Sequence, residues 1–533
     1  MQSNSDTAPW NIDRGLRTSL LGAVRDAQRP PGQRLLEVLP GLCTYAVLSG
    51  LIWASLLQPL AVGMLVLLYD AYWLYHSTSL GIRVIAAYRR MRHAEATDWL
   101  AQASAMEQFG RVHHVVIVPT YGESVDILRA TLQRLAGQDF PTQRMTVVLA
   151  FEARDPDAHR RAGLLQAEFG GLFGNLWVTF HPQLPGEIAG KSSNQAWAAR
   201  FASERLAGEA EVDLAFSTIT TCDADSRFHG SYFSALTCQF LSKPRRRLFQ
   251  PVILFYSNIW RVPAPSRVLN SVHSLWQLAK LTRTDKLVTQ STYSMALSTC
   301  MEAGYWDGNV IPEDSHMFFK LLFKFGPEVQ VEPIFLPVVS DAAESAGYVG
   351  TLRSQFEQEK RWAWGVADIP YVIRGLLRMP RPGRWKAVYR GLRYIEEHLS
   401  WPLSPFLITF GAGAPGYFSP GYARTSLGHL LPALSGYLLT ASLASLVVMV
   451  VVDCKMKPAE ANPHRLLGLR RMFEWVLMPA VGIGLSALPG LAAHTRLLLG
   501  RYLEYRVTPK LAEPETLPLL QMEQVPVHVS SGQ

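Results

Sequence analysis

Cysteine is scarce in this sequence, and the few cysteines form no site-like pattern. The five are far apart and include no CxxC pair: Cys43, Cys222, Cys238, Cys300 and Cys454. Such spacing provides neither a disulfide framework nor the paired ligands of a structural zinc site. We therefore expect a fold without disulfides or structural metal.

A basic stripe with interleaved aromatic residues, the usual surface for nucleic acid, is also missing. The net charge is +8, but the Arg and Lys residues gather beside hydrophobic runs. We interpret them as membrane-flanking charge and expect no nucleic-acid partner. The apolar share of 48% favours a partly membrane-buried protein over a soluble enzyme.

The N-terminal 36 residues lack an apolar core followed by a small-residue cleavage site. They carry many charges instead, among them Asp13, Arg14, Arg17, Arg25, Asp26, Arg29 and Arg34. We therefore expect residues 1–36 to be a cytosolic segment and not a removable signal peptide.

Charge is absent from the stretch that follows. No charged residue lies between Glu37 and Asp70, and the apolar stretch continues beyond Asp70. Its length predicts two transmembrane helices within residues 37–82, joined at Gln58 and Pro59. Arginines follow at once, at positions 83, 89, 90 and 92. The positive-inside rule therefore predicts that the hairpin returns to the cytosolic side.

Asp70 falls inside the second of these helices. A carboxylate within the membrane is unfavourable unless a neighbouring group satisfies it or it serves a function. Either a neighbouring helix satisfies Asp70, or Asp70 lines a path for a sugar or a lipid, and the sequence leaves both open.

A second hydrophobic block, residues 399–503, predicts two or three membrane segments. Its stretches are 399–418, which prolines and glycines interrupt, 426–452 and 472–488. Three full crossings would put the basic tail, 504–533, outside, so we expect one segment to be re-entrant or interfacial. The residues between the two blocks then form a cytosolic catalytic domain over 94–345 and interfacial amphipathic helices over 346–398.

Short apolar runs alternate with helical patterns in the predicted catalytic domain. The runs of strand length are 115–119, 145–152, 176–180 and 214–222. This alternation predicts an α/β fold, a mostly parallel sheet with helices on both faces. Ligands of such sheets bind outside the carboxyl ends of the strands, which here are residues 120–123, 152–155 and 222–225.

Two carboxylates, Asp223 and Asp225, follow the fourth predicted strand. Side chains two residues apart in extended backbone point to the same side, so both can face one metal ion. Mg²⁺ or Mn²⁺ prefers such oxygen ligands and bridges readily to phosphates. A DxD triplet alone is more often a solvated turn.

Two further groups each have an ordinary structural interpretation. Glu313 and Asp314 precede a helical run and are typical of a helix N-terminus. Gln358, Arg361 and Trp362 share one face of a predicted helix, which is also typical of an amphipathic interfacial helix. Such a face can also bind a diphosphate and a sugar ring.

Taken together, the motifs resemble those of family 2 glycosyltransferases. PTYGE (119–123), GKSSNQA (190–196), DAD (223–225), PED (312–314) and QEKRW (358–362) occur in the order and approximate spacing of that family. They look most like the membrane-bound branch that includes cellulose synthase, hyaluronan synthase and ceramide glucosyltransferase. The likeness covers roughly residues 110–370. Tyr505 to Lys510 is similar to a segment near the active site of some polysaccharide synthases.

The resemblance implies a GT-A-like fold and a role for each matching residue. Asp314 would be the general base, with Glu313 beside it, and Asp223 and Asp225 would hold Mg²⁺ or Mn²⁺. The remaining residues would bind the nucleotide sugar, Asp223 among them: Thr120, Tyr121, Glu123, Glu152, Lys191, Gln358, Arg361 and Trp362. Glu152 stands where the family usually has an aspartate and would substitute for it as the base-binding carboxylate. Pro312 replaces the small or hydroxyl residue that is common in the third motif.

The implied activity is inverting transfer of a sugar from a nucleoside diphosphate sugar, expected to be a UDP-sugar. A growing polysaccharide or oligosaccharide is the expected acceptor, made and translocated by the same protein; a membrane lipid that receives a single sugar is the alternative. A transporter or scaffold without catalysis would need more spanning segments than the sequence offers. We expect an integral protein of a bacterial inner membrane with a cytosolic catalytic domain.

Overall fold

The computed structural model describes residues 30–380, 383–458 and 472–504. Most of the predicted N-terminal segment and nearly all of the predicted tail, including Tyr505 to Lys510, lie outside the described residues. The predicted domain boundaries remain a prediction.

An eight-stranded sheet forms the centre of the described residues. Its strands are β1 His113–Thr120, β2 Met145–Glu152, β3 Asn175–His181, β4 Ser217–Thr221, β5 Arg227–Phe228, β6 Arg247–Leu254, β7 Tyr293–Ala296 and β8 Gln330–Val339. Their order across the sheet is β3-β2-β1-β4-β7-β6-β8-β5. The four strands predicted from the sequence are β1 to β4, and they form its parallel half.

The predicted α/β fold class is confirmed: the sheet is mixed, and four of its seven strand pairings are parallel. β7 runs antiparallel to both β4 and β6, and β5 runs antiparallel to β8. These strands escaped prediction because β7 has four residues and β5 two, too few to show an alternating pattern.

Helices cover both faces of the sheet, as predicted. In β1, Val115 and Ile117 belong to one apolar core and Val116 and Val118 to the other, as the alternation of side chains in a strand requires. The helices within this body are Trp99–Ser104, Val125–Ala136, Ala158–Phe169, Lys191–Leu206, Tyr232–Ser242, Ala264–Lys280, Leu297–Ala303, Glu313–Phe325, Gly347–Ala363 and Ile369–Arg378. The protein therefore contains an α/β body with two cores.

Longer helices flank this body at both ends of the chain. They are Gln33–Leu57, Pro59–Glu95, Arg384–Phe410 and Ser426–Met456, with short helices at Ala414–Phe418 and Pro420–Ala423. A further helical stretch, Glu474–Leu498, contains a π-helical turn at Gly482–Ala487. Among the described residues, Gln33–Leu57, Ser426–Met456 and Glu474–Leu498 are long and apolar enough to cross a membrane. Pro59–Glu95 is not among these three, so the predicted second N-terminal crossing stays a prediction.

Small residues allow the flanking helices to approach closely. A Cβ added at Gly81 of Pro59–Glu95 would lie 3.3 Å from Ser445 Cβ of Ser426–Met456, and one at Gly41 would lie 2.8 Å from Leu498 Cβ. Close contact through glycine and serine is the usual way for helices to associate within a bilayer. Asp70 is buried beside Ser435, between the same two helices as the Gly81 contact. It is not among the described residues that line the cavity below, and neither of its carboxylate oxygens has a hydrogen-bond partner within the described part of the chain, so both interpretations of Asp70 stay open.

Candidate active site

A cavity of about 1320 Å³ opens where β1, β2 and β4 end. All twelve residues predicted for the site line it: Thr120, Tyr121, Glu123, Glu152, Lys191, Asp223, Asp225, Glu313, Asp314, Gln358, Arg361 and Trp362. Its wall continues into the apolar helices, with Leu446 and Val450 from Ser426–Met456 and Val476 from Glu474–Leu498. The cavity thus joins a polar end at the sheet to an apolar end between possible membrane spans.

The loop after β1 turns sharply beneath the cavity. Gly122 has a φ of 83°, a conformation that favours glycine. Glu123 Oε2 accepts hydrogen bonds from Thr120 Oγ1 at 2.7 Å and from the Tyr121 backbone N–H at 2.6 Å. Asp155 Oδ2 accepts from the Gly122 N–H at 3.0 Å and also pairs with the buried Arg161. Asp155, in the segment that follows β2, therefore holds the PTYGE loop in this conformation.

Glu152, at the end of β2, is paired with a cation that the sequence reasoning missed. Arg154 Nε donates to Glu152 Oε2 at 2.6 Å, and the Arg154 guanidinium lies 4.0 Å from the centroid of the Tyr121 ring. The signal was available, because Arg154 and Asp155 directly follow the predicted strand. Arg161, which pairs with Asp155, lies on the next helix, and no local pattern in the sequence pointed to it.

Lys191 connects two of the predicted acidic motifs. Its Nζ lies 2.8 Å from Asp223 Oδ1 and 3.1 Å from Glu313 Oε1, and it donates to the Ser291 carbonyl at 2.6 Å. Lys191 is the first residue of its helix and follows Gly190, whose φ is 150°. Its ammonium therefore compensates carboxylates that come from positions more than 80 residues apart.

Asp225 is buried, and its Oδ2 accepts a hydrogen bond from the Asp341 backbone N–H at 2.7 Å. Asp341 also lines the cavity, directly after β8, and the sequence reasoning missed it. Among the described residues, no group of three or more His, Cys, Asp or Glu side chains is arranged to hold a metal. Two carboxylates in one cavity still fit Mg²⁺ or Mn²⁺, because such ions commonly take one or two protein carboxylates and complete their shell with water and phosphate oxygens.

Asp314 lies at the start of the Glu313–Phe325 helix. Its Oδ1 accepts from the Ser315 N–H at 2.7 Å, and its carbonyl accepts from Thr289 Oγ1 at 2.8 Å. Burial, reinforced by the negative charge of Glu313, raises the pKa of Asp314 to about 7, although the Ser315 N–H and Lys191 act in the opposite direction. A carboxyl with this pKa can take a proton from a substrate near neutral pH.

The comparisons with known proteins find one family model that matches part of the chain. The model of "Glycosyl transferase family group 2" matches residues 218–454. This part, which is less than half of the chain, is similar to that family. The match contains the DAD, PED and QEKRW motifs, whereas PTYGE and GKSSNQA precede it.

Solved structures show more distant likenesses to this chain, and no curated protein matches its sequence. Mannosyltransferase PcManGT from Pyrobaculum calidifontis, in complex with GDP-Man and Mn²⁺, is 16% identical over 69% of this chain and 99% of that chain, with a TM-score of 0.39. S. aureus TarS 1-349, in complex with UDP-GlcNAc, is 14% identical over 66% of this chain and 93% of that chain, with a TM-score of 0.35. At these scores, neither structure supports a statement about the ligands of this chain.

The QEKRW motif lies in the Gly347–Ala363 helix and faces the cavity. Trp362 packs against Phe255, with ring centroids 5.4 Å apart, and against the edge of His273 at 5.2 Å. Gln358 accepts a hydrogen bond from Gln355 Nε2 at 3.1 Å. The predicted shared face of Gln358, Arg361 and Trp362 is therefore present, and it lines the cavity.

A network of charged side chains surrounds His316, which lies two residues after Asp314 on the same helix. His316 is held between Asp368, at 2.6 Å, and Asp307, at 3.0 Å, and Lys320 lies 2.6 Å from Asp307. Burial alone would lower the pKa of His316, but Asp368 and Asp307 raise it to about 9. Because Asp368 follows the QEKRW helix, the cationic imidazole joins the two motifs.

We expect His316→Asn to destabilise the protein by roughly 3 kcal/mol at pH 6, since it leaves the buried Asp368 without its cation. A histidine whose folded pKa lies above its unfolded value of 6.5 stabilises the fold fully below pH 6.5 and loses this effect as the pH rises through about 9. Thermal unfolding of wild type and variant from pH 6 to pH 10 measures the difference. An equal difference across this range would show that the imidazole is neutral in the folded protein.

Proposed function

We propose that this protein is an inverting, membrane-embedded glycosyltransferase that moves a sugar from a nucleoside diphosphate sugar to an acceptor beside the bilayer. The observation that carries the proposal is the position of Asp314. A partly buried carboxyl with a pKa of about 7 shares one cavity with the DAD carboxylates and with Arg361. That arrangement supplies a base on one side of a reacting centre and charge stabilisation on the other.

The reaction proceeds in one displacement. Asp314 takes the proton of an acceptor hydroxyl, and the oxygen attacks the anomeric carbon of the donor sugar. The bond from that carbon to the diphosphate oxygen breaks, and the nucleoside diphosphate leaves with the bonding electrons. Arg361 stabilises the charge on the leaving group. Attack opposite the leaving group inverts the anomeric configuration, so an α-linked donor gives a β-linked product.

Different residues of the chain bind different parts of the donor. Asp223 and Asp225 would hold Mg²⁺ or Mn²⁺, which when bound supplies positive charge to the diphosphate. Thr120, Tyr121 and Glu152, which all line the cavity, form the nucleobase side. We propose that the base is a pyrimidine and that the donor is a UDP-sugar.

The acceptor remains a choice between two classes that share the same chemistry. A growing polysaccharide or oligosaccharide, made and passed into the membrane by the same chain, is the first. A membrane lipid that receives one sugar is the second, and the apolar wall of the cavity formed by Leu446, Val450 and Val476 specifically favours it. In both cases the acceptor reaches Asp314 from the membrane side. The proposed setting is a bacterial inner membrane with the catalytic domain in the cytosol.

The test is a panel of nucleotide sugars given to the purified full-length protein in lipid nanodiscs, with Mg²⁺, Mn²⁺ or EDTA. We expect one donor to be consumed, a β-linked product to form from an α-linked donor, and EDTA to stop turnover. Mass spectrometry of the product decides between a long glycan and a lipid with one sugar. If no donor is consumed with either metal, the proposed activity is wrong, and an α-linked product would exclude inversion.

A further inference from the structure

Cationic side chains cluster on the cavity wall between the proposed catalytic carboxyl and the apolar helices. Arg83 comes from Pro59–Glu95 and Arg393 from Arg384–Phe410, while Lys280, Arg283 and Lys286 come from the end of Ala264–Lys280 and the loop after it. We refer to these five residues as the cation cluster. Three separate segments of the chain thus bring positive charge to one part of the cavity.

Carboxylates neutralise three of the five cations. Lys280 lies 3.0 Å from Glu397, Arg283 lies 2.6 Å from Asp285, and Arg393 lies 3.0 Å from Glu396. Among the described residues, no carboxylate lies within ion-pair distance of the two remaining cations, Arg83 and Lys286, and Arg83 Nε is buried without a hydrogen-bond partner. The cluster therefore carries an excess of two positive charges inside a cavity.

The pKa of Lys286 reflects the same excess of positive charge. Burial, together with the charges of Arg393, Arg283 and Arg83, lowers the pKa of Lys286 to about 8, and Asp285 offsets this only in part. Like charges held together in a partly buried space are unfavourable unless an anion joins them. An anion with several oxygens relieves this repulsion, because each cation can donate to a different oxygen.

The position of the cluster limits the kind of anion. Lys286 precedes Thr289 by three residues, and Thr289 donates to the Asp314 carbonyl. Three residues of chain extend at most about 10 Å, so the cluster lies close to the proposed base. On its other side, Leu80, Leu446 and Val450 continue the cavity wall with apolar side chains. A ligand that fits both parts has an anionic head and a hydrocarbon chain.

We propose that the cation cluster binds the phosphate-bearing headgroup of a membrane amphiphile, whose hydrocarbon chain lies along the apolar wall. Arg83 and Lys286 are the two contacts that the site provides without breaking an existing ion pair. The amphiphile is either the acceptor itself or a bilayer phospholipid beside it. Its role as acceptor rests on the proposed glycosyl transfer, whereas its binding does not.

Binding is tested without any donor. The purified protein in neutral detergent is titrated with dodecyl phosphate, with dodecanol as the uncharged amphiphile and inorganic phosphate as the anion without a chain. We expect dodecyl phosphate to bind much more tightly than either, and the double variant R83Q/K286Q to lose roughly 10-fold or more of that affinity, since charge-assisted contacts to phosphate are removed. Arg89→Gln, an exposed cation on the same helix as Arg83, is the matched control and should bind as wild type does.

Three results would overturn the proposal. Equal affinity of wild type and double variant for dodecyl phosphate would show that the cluster is not the site. Equal affinity for inorganic phosphate and dodecyl phosphate would remove the hydrocarbon chain from the ligand. A double variant that loses affinity for the donor nucleotide but keeps dodecyl phosphate would assign the cluster to the donor diphosphate. Thermal unfolding of both variants establishes that each is folded.

A second arm separates the two sources of the headgroup. Donor turnover is measured in nanodiscs of phosphatidylcholine with and without phosphatidylglycerol, which carries both a phosphate and free hydroxyls. Glycosylated phosphatidylglycerol identifies the anionic lipid as an acceptor. Faster turnover without glycosylation of that lipid identifies a bound bilayer lipid, and either effect should disappear in R83Q/K286Q. If the protein binds dodecyl phosphate but consumes no donor, the binding site stands and only the proposed activity fails.

Discussion

Replacing Asp314 with asparagine should lower kcat by roughly 10²–10⁴-fold, the contribution of a positioned general base, with little change in donor affinity. Asparagine has nearly the same shape and still accepts the Ser315 N–H, but it cannot take a proton. Single-turnover assays measure the rate, and nucleotide titration measures the affinity. Asp126→Asn, the same chemical change at an exposed position, is the control and should leave both unchanged.

The pH dependence of the wild-type protein provides an independent test of this base. Because the pKa of Asp314 is raised to about 7, kcat should fall below that pH as the carboxyl becomes protonated. The same raised pKa means that the folded protein binds this proton more tightly than the unfolded chain does, so stability decreases as the pH rises from about 4 to about 7. Asp314→Asn removes this loss and should melt at a higher temperature than wild type above pH 7. A variant that keeps wild-type turnover would assign the base to another group.

Most of the polar end of the cavity was predictable because its motifs follow apolar strands. β2 covers the residues predicted for it, Met145–Glu152, since a buried parallel strand is a nearly continuous apolar run. The rule that ligands bind at the carboxyl ends of strands then located the loop after β1 and the DAD motif without any knowledge of the pairing.

The partners of these residues were not predictable, because they are close in space and distant in sequence. Asp341 contacts Asp225 across 116 positions, and the short antiparallel β7 that separates the two halves of the sheet has no periodic signal. The cation cluster is a further case. From the sequence alone we interpreted its members as membrane-flanking charge. Only the packing of three segments brings them to one cavity.

Lys191 determines how strongly the acidic residues of the site influence one another. Its ammonium contacts both Asp223 and Glu313, and its charge lowers the pKa of Asp314, which Glu313 raises. We therefore expect two substitutions to move the acidic side of the kcat profile in opposite directions. Lys191→Met should shift it to higher pH, because a stabilising positive charge is lost. Glu313→Gln should shift it to lower pH, because a repelling negative charge is lost.

The two variants should also differ in size of effect. Removal of Lys191 leaves two partly buried carboxylates without their cation, which should reduce stability by roughly 3 kcal/mol and turnover by roughly 10²-fold. Glu313→Gln keeps the shape of the side chain and should retain most of the turnover at neutral pH. Lys243→Met, which removes an exposed lysine near Glu332, controls for the general loss of one positive charge. Shifts of the same sign in both variants would mean that the ionisation seen in the profile belongs to a group other than Asp314, because Asp314 lies close to both charges and responds to them oppositely.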